Sequence, residues 1–338
     1  MSGFSRRGLL AGLGSSIGAL PLAGCSRPSL PERAYSRKPW AAPRIAPANV
    51  IREVVGHRPF RPGGFVVRAE ETGPKLLVHN YGHGGGGISL AWGSSALAVR
   101  ELGDRAAGEA AVVGSGIMGL TSARLLQDAG WRVTVYTRSV ARHTTSNVAG
   151  GEWGPFSVHD PAVSTPEFKA RLDWAARISH HAYTNLTGPD YGIRWLEQYS
   201  LRRTPPDPTE ASDQWADLFP YSADLEPGQH PFGDWYAHRN VTMQIDPGTL
   251  LRALIRDFQL AGGEFVIRNF GSGDEVRSLA EPVIFNCTGM GAAALFGDEE
   301  LIPAKGQLVF LPPDPAVDYM TLGGGRGQLY MFPRTDVL

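Results

Sequence analysis

Ala111-Val112-Val113-Gly114-Ser115-Gly116-Ile117-Met118-Gly119 is the stretch whose reading decides the fold. A short apolar run ends in a turn with glycines at 114, 116 and 119, and an apolar-periodic stretch from Leu120 to Ala129 follows and stops at Gly130. In this pattern the first glycine allows a tight turn, the second lets backbone approach a pyrophosphate, and the third permits close helix–strand packing. The helix start offers free N–H groups and a positive dipole to phosphate. Trp131-Arg132-Val133-Thr134-Val135-Tyr136 is the next apolar run. Together these form a βαβ unit with dinucleotide-binding spacing.

The fingerprint alone does not separate FAD from NAD. The second strand ends Tyr136-Thr137-Arg138-Ser139, without the acid that ordinarily takes ribose hydroxyls. That weakens NAD more than FAD. Thr137 or Ser139 could hydrogen-bond the ribose instead, and Arg138 is either a phosphate or adenine contact or an ordinary surface arginine. Downstream, Thr144-Thr145-Ser146-Asn147-Val148-Ala149-Gly150-Gly151-Glu152-Trp153 offers hydroxyl donors and then glycines that admit a flat ring. On composition alone it reads as a Ser/Thr-rich loop.

Upstream lie Gly56-His57-Arg58-Pro59-Phe60-Arg61-Pro62-Gly63-Gly64 and His79-Asn80-Tyr81-Gly82-His83-Gly84-Gly85-Gly86-Gly87. A planar guanidinium such as that of Arg58 binds a carboxylate through two parallel charge-assisted hydrogen bonds. A structural ion pair is the other reading, and it suits Arg61 better. The glycine run opens a helix over Ile88 to Leu102 and would aim N–H groups at negative charge, with Ser89 adding a hydroxyl. His79 and His83 lack a third metal ligand at suitable spacing and read as packing residues.

These segments resemble the D-amino-acid oxidases. The two upstream motifs resemble that family's C-terminal signature and the fingerprint resembles its N-terminus, so the chain looks circularly permuted. The resemblance covers roughly residues 50–338. It implies FAD as cofactor, and the sequence offers no metal site. It places Arg58 on the substrate carboxylate, with the phenol of Tyr330 in Tyr330-Met331-Phe332-Pro333-Arg334, similar to the family's Tyr-Ile-Ile-Pro-Arg. Gly85 joins them as a catalytic-loop residue. The implied FAD contacts are Gly114, Gly116, Ile117, Met118 and Gly119; Thr137 and Arg138; Thr144, Thr145, Ser146, Gly151 and, through its backbone, Glu152; and Gly84, Gly86, Gly87 and Ser89. Asn286-Cys287-Thr288-Gly289 and Lys305-Gly306-Gln307 match further family segments, read as structural and cofactor-adjacent, with Cys287 buried and inert.

The implied reaction is oxidative deamination of a D-amino acid. A hydride passes from Cα to flavin N5, dioxygen becomes hydrogen peroxide, and the imino acid hydrolyses to a keto acid and ammonia. Two alternatives stand beside it: a tethered dehydrogenase passing electrons to quinone, and an inactive or truncated FAD-binding scaffold. The family has another strand and helix between the segments matching Tyr330 and Arg58, whereas this sequence stops at Val337-Leu338 in what reads as mid-strand. The resemblance leaves a homodimer open. Selection among substrates by charge is expected from residues 190–240, where Arg202-Arg203 reads as a solvated pair.

Composition is that of a globular protein: 338 residues, 42% apolar, 19% charged, net charge −1. The balance gives no support for nucleic-acid binding, and the two cysteines imply no disulfide framework. Ser5-Arg6-Arg7-Gly8-Leu9-Leu10 is a twin-arginine pattern, followed by an apolar stretch ending Leu22-Ala23-Gly24-Cys25, which resembles a lipobox. The stretch is too short and too rich in Gly and Ser for a membrane span. The expected location is the bacterial periplasm or cell envelope, with lipidated Cys25 as the tether.

The expected class is α/β: an FAD-binding Rossmann-like domain with a parallel sheet, plus a second mixed or antiparallel sheet forming a substrate domain. The expected divisions are 1–25 signal, 26–49 linker, 50–104 permuted segment, 105–155 dinucleotide-binding core, 156–281 mainly substrate domain, 282–300 return to the FAD domain, and 301–338 substrate domain.

Overall fold

The computed structural model describes residues 40–140, 144–207, 214–324 and 329–338. Arg6, Arg7, Cys25 and most of the linker therefore lie outside the described residues. Trp40–Leu338 forms one compact unit.

The elements in chain order are β1 (Arg52–Phe60), β2 (Val66–Thr72), β3 (Lys75–Tyr81), α1 (Gly87–Arg100), β4 (Glu109–Val113), α2 (Ile117–Asp128), β5 (Arg132–Thr137) and α3 (Pro166–Asn185). There follow β6 (Ile193–Arg202), β7 (Ser222–Leu225), β8 (Tyr236–Ile245), α4 (Pro247–Leu260), β9 (Glu264–Ile267), α5 (Gly273–Arg277) and β10 (Val283–Asn286). The last are α6 (Gly291–Phe296), β11 (Ile302–Phe310), β12 (Tyr319–Gly323) and β13 (Tyr330–Met331).

A six-stranded sheet runs β2-β3-β10-β4-β5-β9. All its neighbours pair in parallel except β2, which lies antiparallel along β3. The central strands β4 and β10 are apolar at all but one position each because both faces are covered. Leu76, Val78, Ala110, Val112, Val283 and Phe285 join the cluster that includes α1, α2 and α4. Their sequence neighbours Leu77, Ala111, Val113 and Ile284 face a second cluster with Val276 of α5. Each large side chain buried this way contributes about 2–3 kcal/mol.

The segment encoded ahead of the fingerprint is thus part of the central sheet. β3 lies between β2 and β10, and α1 packs against α2 and α3 before the chain returns through β4. A buried polar network fixes this join. The Asn80 amide donates to Ser95 and Ser122 hydroxyls at 3.2 and 3.1 Å and accepts from Ser94 at 2.7 Å.

A five-stranded sheet runs β13-β12-β6-β8-β7, with β6 and β8 antiparallel along their whole length. β1 and β11 form a separate antiparallel pair from Arg52↔Phe310 to Phe60↔Ile302. Leu338 exchanges two backbone hydrogen bonds with Leu311, at 3.0 and 2.9 Å. Among the described residues no helix is long and apolar enough to cross a membrane.

Two readings of the sequence need correction. Residues 156–281, expected to be mainly substrate domain, contain the long helix α3, which packs against α1. Thr165 caps it, its hydroxyl accepting from Phe168 N–H at 3.1 Å. Its buried stripe is Phe168, Leu172, Ala175, Ala176, Ser179 and Tyr183. Further on, β9 joins the six-stranded sheet, so the chain returns to the dinucleotide-binding layer before residue 282.

Candidate active site

The carboxyl ends of β3, β4, β5, β9 and β10 open onto one cavity of about 950 Å³, closed on its other side by parts of β1, β11, β12 and β13. Ligands of open parallel sheets sit at this end of the strands. Gly114, Gly116, Ile117 and Met118 line it. Gly114 has φ +111°, and a Cβ on Gly119 would lie 1.9 Å from the Gly114 carbonyl oxygen. Gly119 does not line the cavity; it brings α2 against the turn, the packing role assigned to the third glycine.

The first ladder bond of α2 is Leu120 N–H to the Gly116 carbonyl at 3.0 Å. The N–H groups before it stand outside the helix ladder. One of them, on Ile117, donates to the Ser146 hydroxyl at 3.0 Å. Ser146 therefore acts on the helix start itself, while Thr144 and Thr145 line the wall beside it. Thr137 also lines the cavity, yet its hydroxyl donates to the Ser139 carbonyl at 2.8 Å and meets Ser115 at 3.0 Å. It closes its own turn.

Arg138 lines the cavity from an exposed position. Beside it stands Arg268, which sequence reading passed over. Its backbone N–H donates to the Thr137 carbonyl at 2.9 Å and its guanidinium lies 4.7 Å from the Phe270 ring centroid. The available signal was positional: Arg268 follows β9 as Arg138 follows β5, both at carboxyl ends of parallel strands.

Gly84, Gly85 and Gly87 line the cavity, but Gly86 does not. Gly85 N–H donates to the Ser157 carbonyl at 2.9 Å, so it is already engaged. The loop is anchored by His83, stacked on Phe65 at 4.8 Å and hydrogen-bonded to Ser94 at 2.6 Å. Burial pushes the His83 pKa down to about 3 and keeps it neutral. His79 is likewise a packing residue, 3.0 Å from the Asn286 amide.

The expectation for Ser89 is corrected. Its side chain does not line the cavity; it is buried, donates to the Gly154 carbonyl and accepts from Gly154 N–H, both at 3.0 Å. A first-turn side chain of α1 here meets the strand-like segment 151–154, which lies along β8 through Ile245 N–H to Gly151 carbonyl at 2.7 Å and Trp153 N–H to Met243 carbonyl at 2.8 Å.

Gly151 and Glu152 line the cavity. Burial pushes the Glu152 carboxyl up to about 7, partly offset by a hydrogen bond from the Gln198 amide. Sequence reading assigned Glu152 a backbone role only; the depth of its side chain follows from the pairing of 151–154 with β8. Arg203, by contrast, stacks on Trp235 at 3.6 Å and does not line the cavity.

Arg58 and Tyr330 line the same cavity as the fingerprint, although 56 and 214 residues separate them from Gly114 and Gly116 in sequence. Among the described residues Arg58 makes no ion pair or hydrogen bond, whereas Arg61 pairs with Asp298 at 2.9 Å and Glu300 at 3.2 Å. A Cβ on Gly306 of β11 would lie 2.9 Å from Arg58 Nη2, so the bare backbone there makes room for the guanidinium. Tyr330 stacks on Phe332 at 4.8 Å. Cys287 lines the wall too, its buried thiol pushed up to about 12.

A family model described as DAO, FAD dependent oxidoreductase, matches residues 109–337. The chain belongs to this family of FAD-dependent oxidoreductases. It is similar to a D-amino-acid oxidase of Streptomyces coelicolor, 36% identical over 217 residues, which are 62% of this chain and 61% of the relative. It is similar also to a D-amino-acid oxidase of Rubrobacter xylanophilus, 28% identical over 68% of each chain. The chain thus spans about three fifths to two thirds of the length of these relatives. A glycine oxidase structure from Geobacillus kaustophilus matches with a TM-score of 0.48 and 18% identity, over 67% of this chain and 68% of that one.

The cavity fits the FAD of a DAO-family protein. Backbone carbonyls leave no room for a Cβ at Gly114 or Gly119, so the turn stays close and bare, while Arg138 and Arg268 add positive charge to the lining and the glycine loop after β3 lines the same cavity.

Proposed function

We propose that this DAO-family protein oxidatively deaminates D-amino acids. The observation that carries the reading is Arg58, a guanidinium with no protein counter-charge among the described residues, in the cavity of the dinucleotide fingerprint. A bare cation at that position calls for an anionic ligand, and a substrate carboxylate supplies one in bidentate geometry. Tyr330 adds a phenol to the same wall. Holding the carboxylate at two points limits its motion in the cavity, and such positioning accounts for much of the rate in reactions of this kind.

When bound, FAD supplies the hydride acceptor. The chain's own part is to hold and orient. Gly114, Gly116 and Ser146 would hold the phosphates with Arg138 and Arg268 on the same wall, and Gly84, Gly85 and Gly87 of the loop after β3 would hold the ring. The imino acid released would hydrolyse to keto acid and ammonia, with dioxygen as terminal electron acceptor and hydrogen peroxide as its product. A homodimer fits the reading without being required by it.

We read the segment order as a circular permutation. β3 takes its place beside β10, and β1 beside β11, although both are encoded ahead of the stretch that the family model matches. Export through the twin-arginine pattern and a lipid tether at Cys25 belong to the same proposal.

The test is Arg58→Ala in the flavin-loaded protein. Two charge-assisted hydrogen bonds at about 1.5–3 kcal/mol each imply a fall in kcat/KM for D-amino acids of about a hundredfold or more, with the flavin absorbance band retained. Unchanged kinetics refute the assignment. Peroxide yield in air separates an oxidase from a dehydrogenase feeding a quinone, and absence of turnover on any amino acid identifies an inactive scaffold.

A further inference from the structure

The charges around the cavity are unevenly explained. Arg138 and Arg268 stand at the fingerprint end, where phosphates would lie, and Arg58 would take a carboxylate. Glu152 is the one carboxyl among the described lining residues. No arginine, lysine or histidine pairs with it among those residues. Its Oε1 is buried without a hydrogen-bond partner there. Gln198 hydrogen-bonds the carboxyl. Gln244, opposite Glu152 in an isolated bridge, spends its Nε2 on the Gly150 carbonyl at 2.9 Å.

A carboxyl in this setting is expensive. A buried acceptor left unsatisfied costs about 1–3 kcal/mol, and more when ionised. Burial accordingly holds its pKa near 7, so proton loss near neutrality is poised on the arrival of a positive charge. FAD presents no cation to it. The substrate does.

We propose that Glu152 is a specificity-determining residue that pairs with the ammonium or guanidinium at the end of a basic amino-acid side chain, while Arg58 holds the α-carboxylate. The inference rests on the oxidase reading above. The α-amine is the wrong partner on chemical grounds. Hydride loss from Cα needs the neutral amine with its lone pair free, and a carboxylate beside it would stabilise the protonated form. A cation at the far end of the substrate carries no such penalty. It also gives the molecule two charged anchors of opposite sign, which fixes its orientation.

The experiment compares the flavin-loaded wild type with Glu152→Gln, which keeps shape and removes charge. Turnover is measured on D-arginine, D-lysine, D-alanine and D-glutamate. Binding is measured calorimetrically with 5-guanidinopentanoate, which has both anchors and no α-amine, and with pentanoate. The ratio of kcat/KM for D-arginine to that for D-alanine is expected to fall about 10- to 100-fold in the variant, the range of one charge-assisted hydrogen bond. The preference for guanidinopentanoate over pentanoate should fall alike, and D-glutamate should gain relative to D-alanine. An unchanged ratio and an unchanged binding preference overturn the proposal. So does an equal loss on D-arginine and D-alanine, which would place the carboxyl at the α-amine. A wild type that turns over nothing in the panel defeats the oxidase reading instead, and the two carboxylate probes still report on Glu152.

Discussion

Removing the Glu152 carboxyl should change how thermal stability depends on pH, in a direction that burial fixes. Its ordinary value is 4.5 and burial lifts it to about 7 in the folded protein. A folded-state pKa above the unfolded one means that the native state holds the proton more tightly. The stabilising contribution is therefore complete below pH 4.5 and is lost as pH rises through 7. At 1.36 kcal/mol per decade, the difference amounts to about 3 kcal/mol. With a melting entropy of about 2.1 cal/mol/K per residue over residues 40–338, that corresponds to about 5 °C. Scanning calorimetry of wild type and Glu152→Gln from pH 4.5 to 8.5 should show the wild type losing about 5 °C more than the variant, most of it between pH 5 and 7. Other titrating groups are common to both proteins and cancel in the difference. Parallel curves would falsify the assignment of Glu152 as a desolvated acid, and a wild type gaining on the variant as pH rises would reverse its sign.

Two further outcomes follow from the same cavity. Gly119→Ala places a methyl 1.9 Å from the Gly114 carbonyl oxygen, a backbone atom that cannot step aside, so α2 must move off the fingerprint turn. The purified variant should be destabilised by about 2 kcal/mol or more and lose its flavin absorbance band, while a yellow, equally stable variant contradicts the packing role. Cys287 is buried and its thiol is pushed up to about 12, so iodoacetamide at pH 8 should leave it unlabelled in native protein and alkylate it after unfolding, as mass spectrometry of its peptide will show.

Much of this arrangement was legible in local sequence, because the devices concerned are local. A glycine at 114 or 119 is demanded by atoms a few residues away, and the alternation of Leu76, Leu77 and Val78 between two apolar clusters follows from the pleat of a covered strand. Arg58 could be told from Arg61 by its motif alone, and the structure separates them by partners: acids for Arg61, an open cavity for Arg58. Ser89 was misplaced because sequence says which turn of a helix a residue occupies and not what packs over it. The segment over it is 151–154, held by β8.

By itself the sequence determined the phosphate turn, the apolar strands and the helix that follows them, since each depends on backbone geometry within a few residues. The tertiary structure alone decided that the wall facing the fingerprint comes from β1, β11, β12 and β13, that Arg268 stands beside Arg138, and that the carboxyl at 152 meets Gln198 and, among the described residues, no cation. The reason is desolvation, which belongs to no single segment. Whether a charge is satisfied depends on everything brought within a few ångströms, and here those atoms come from strands far apart in the chain.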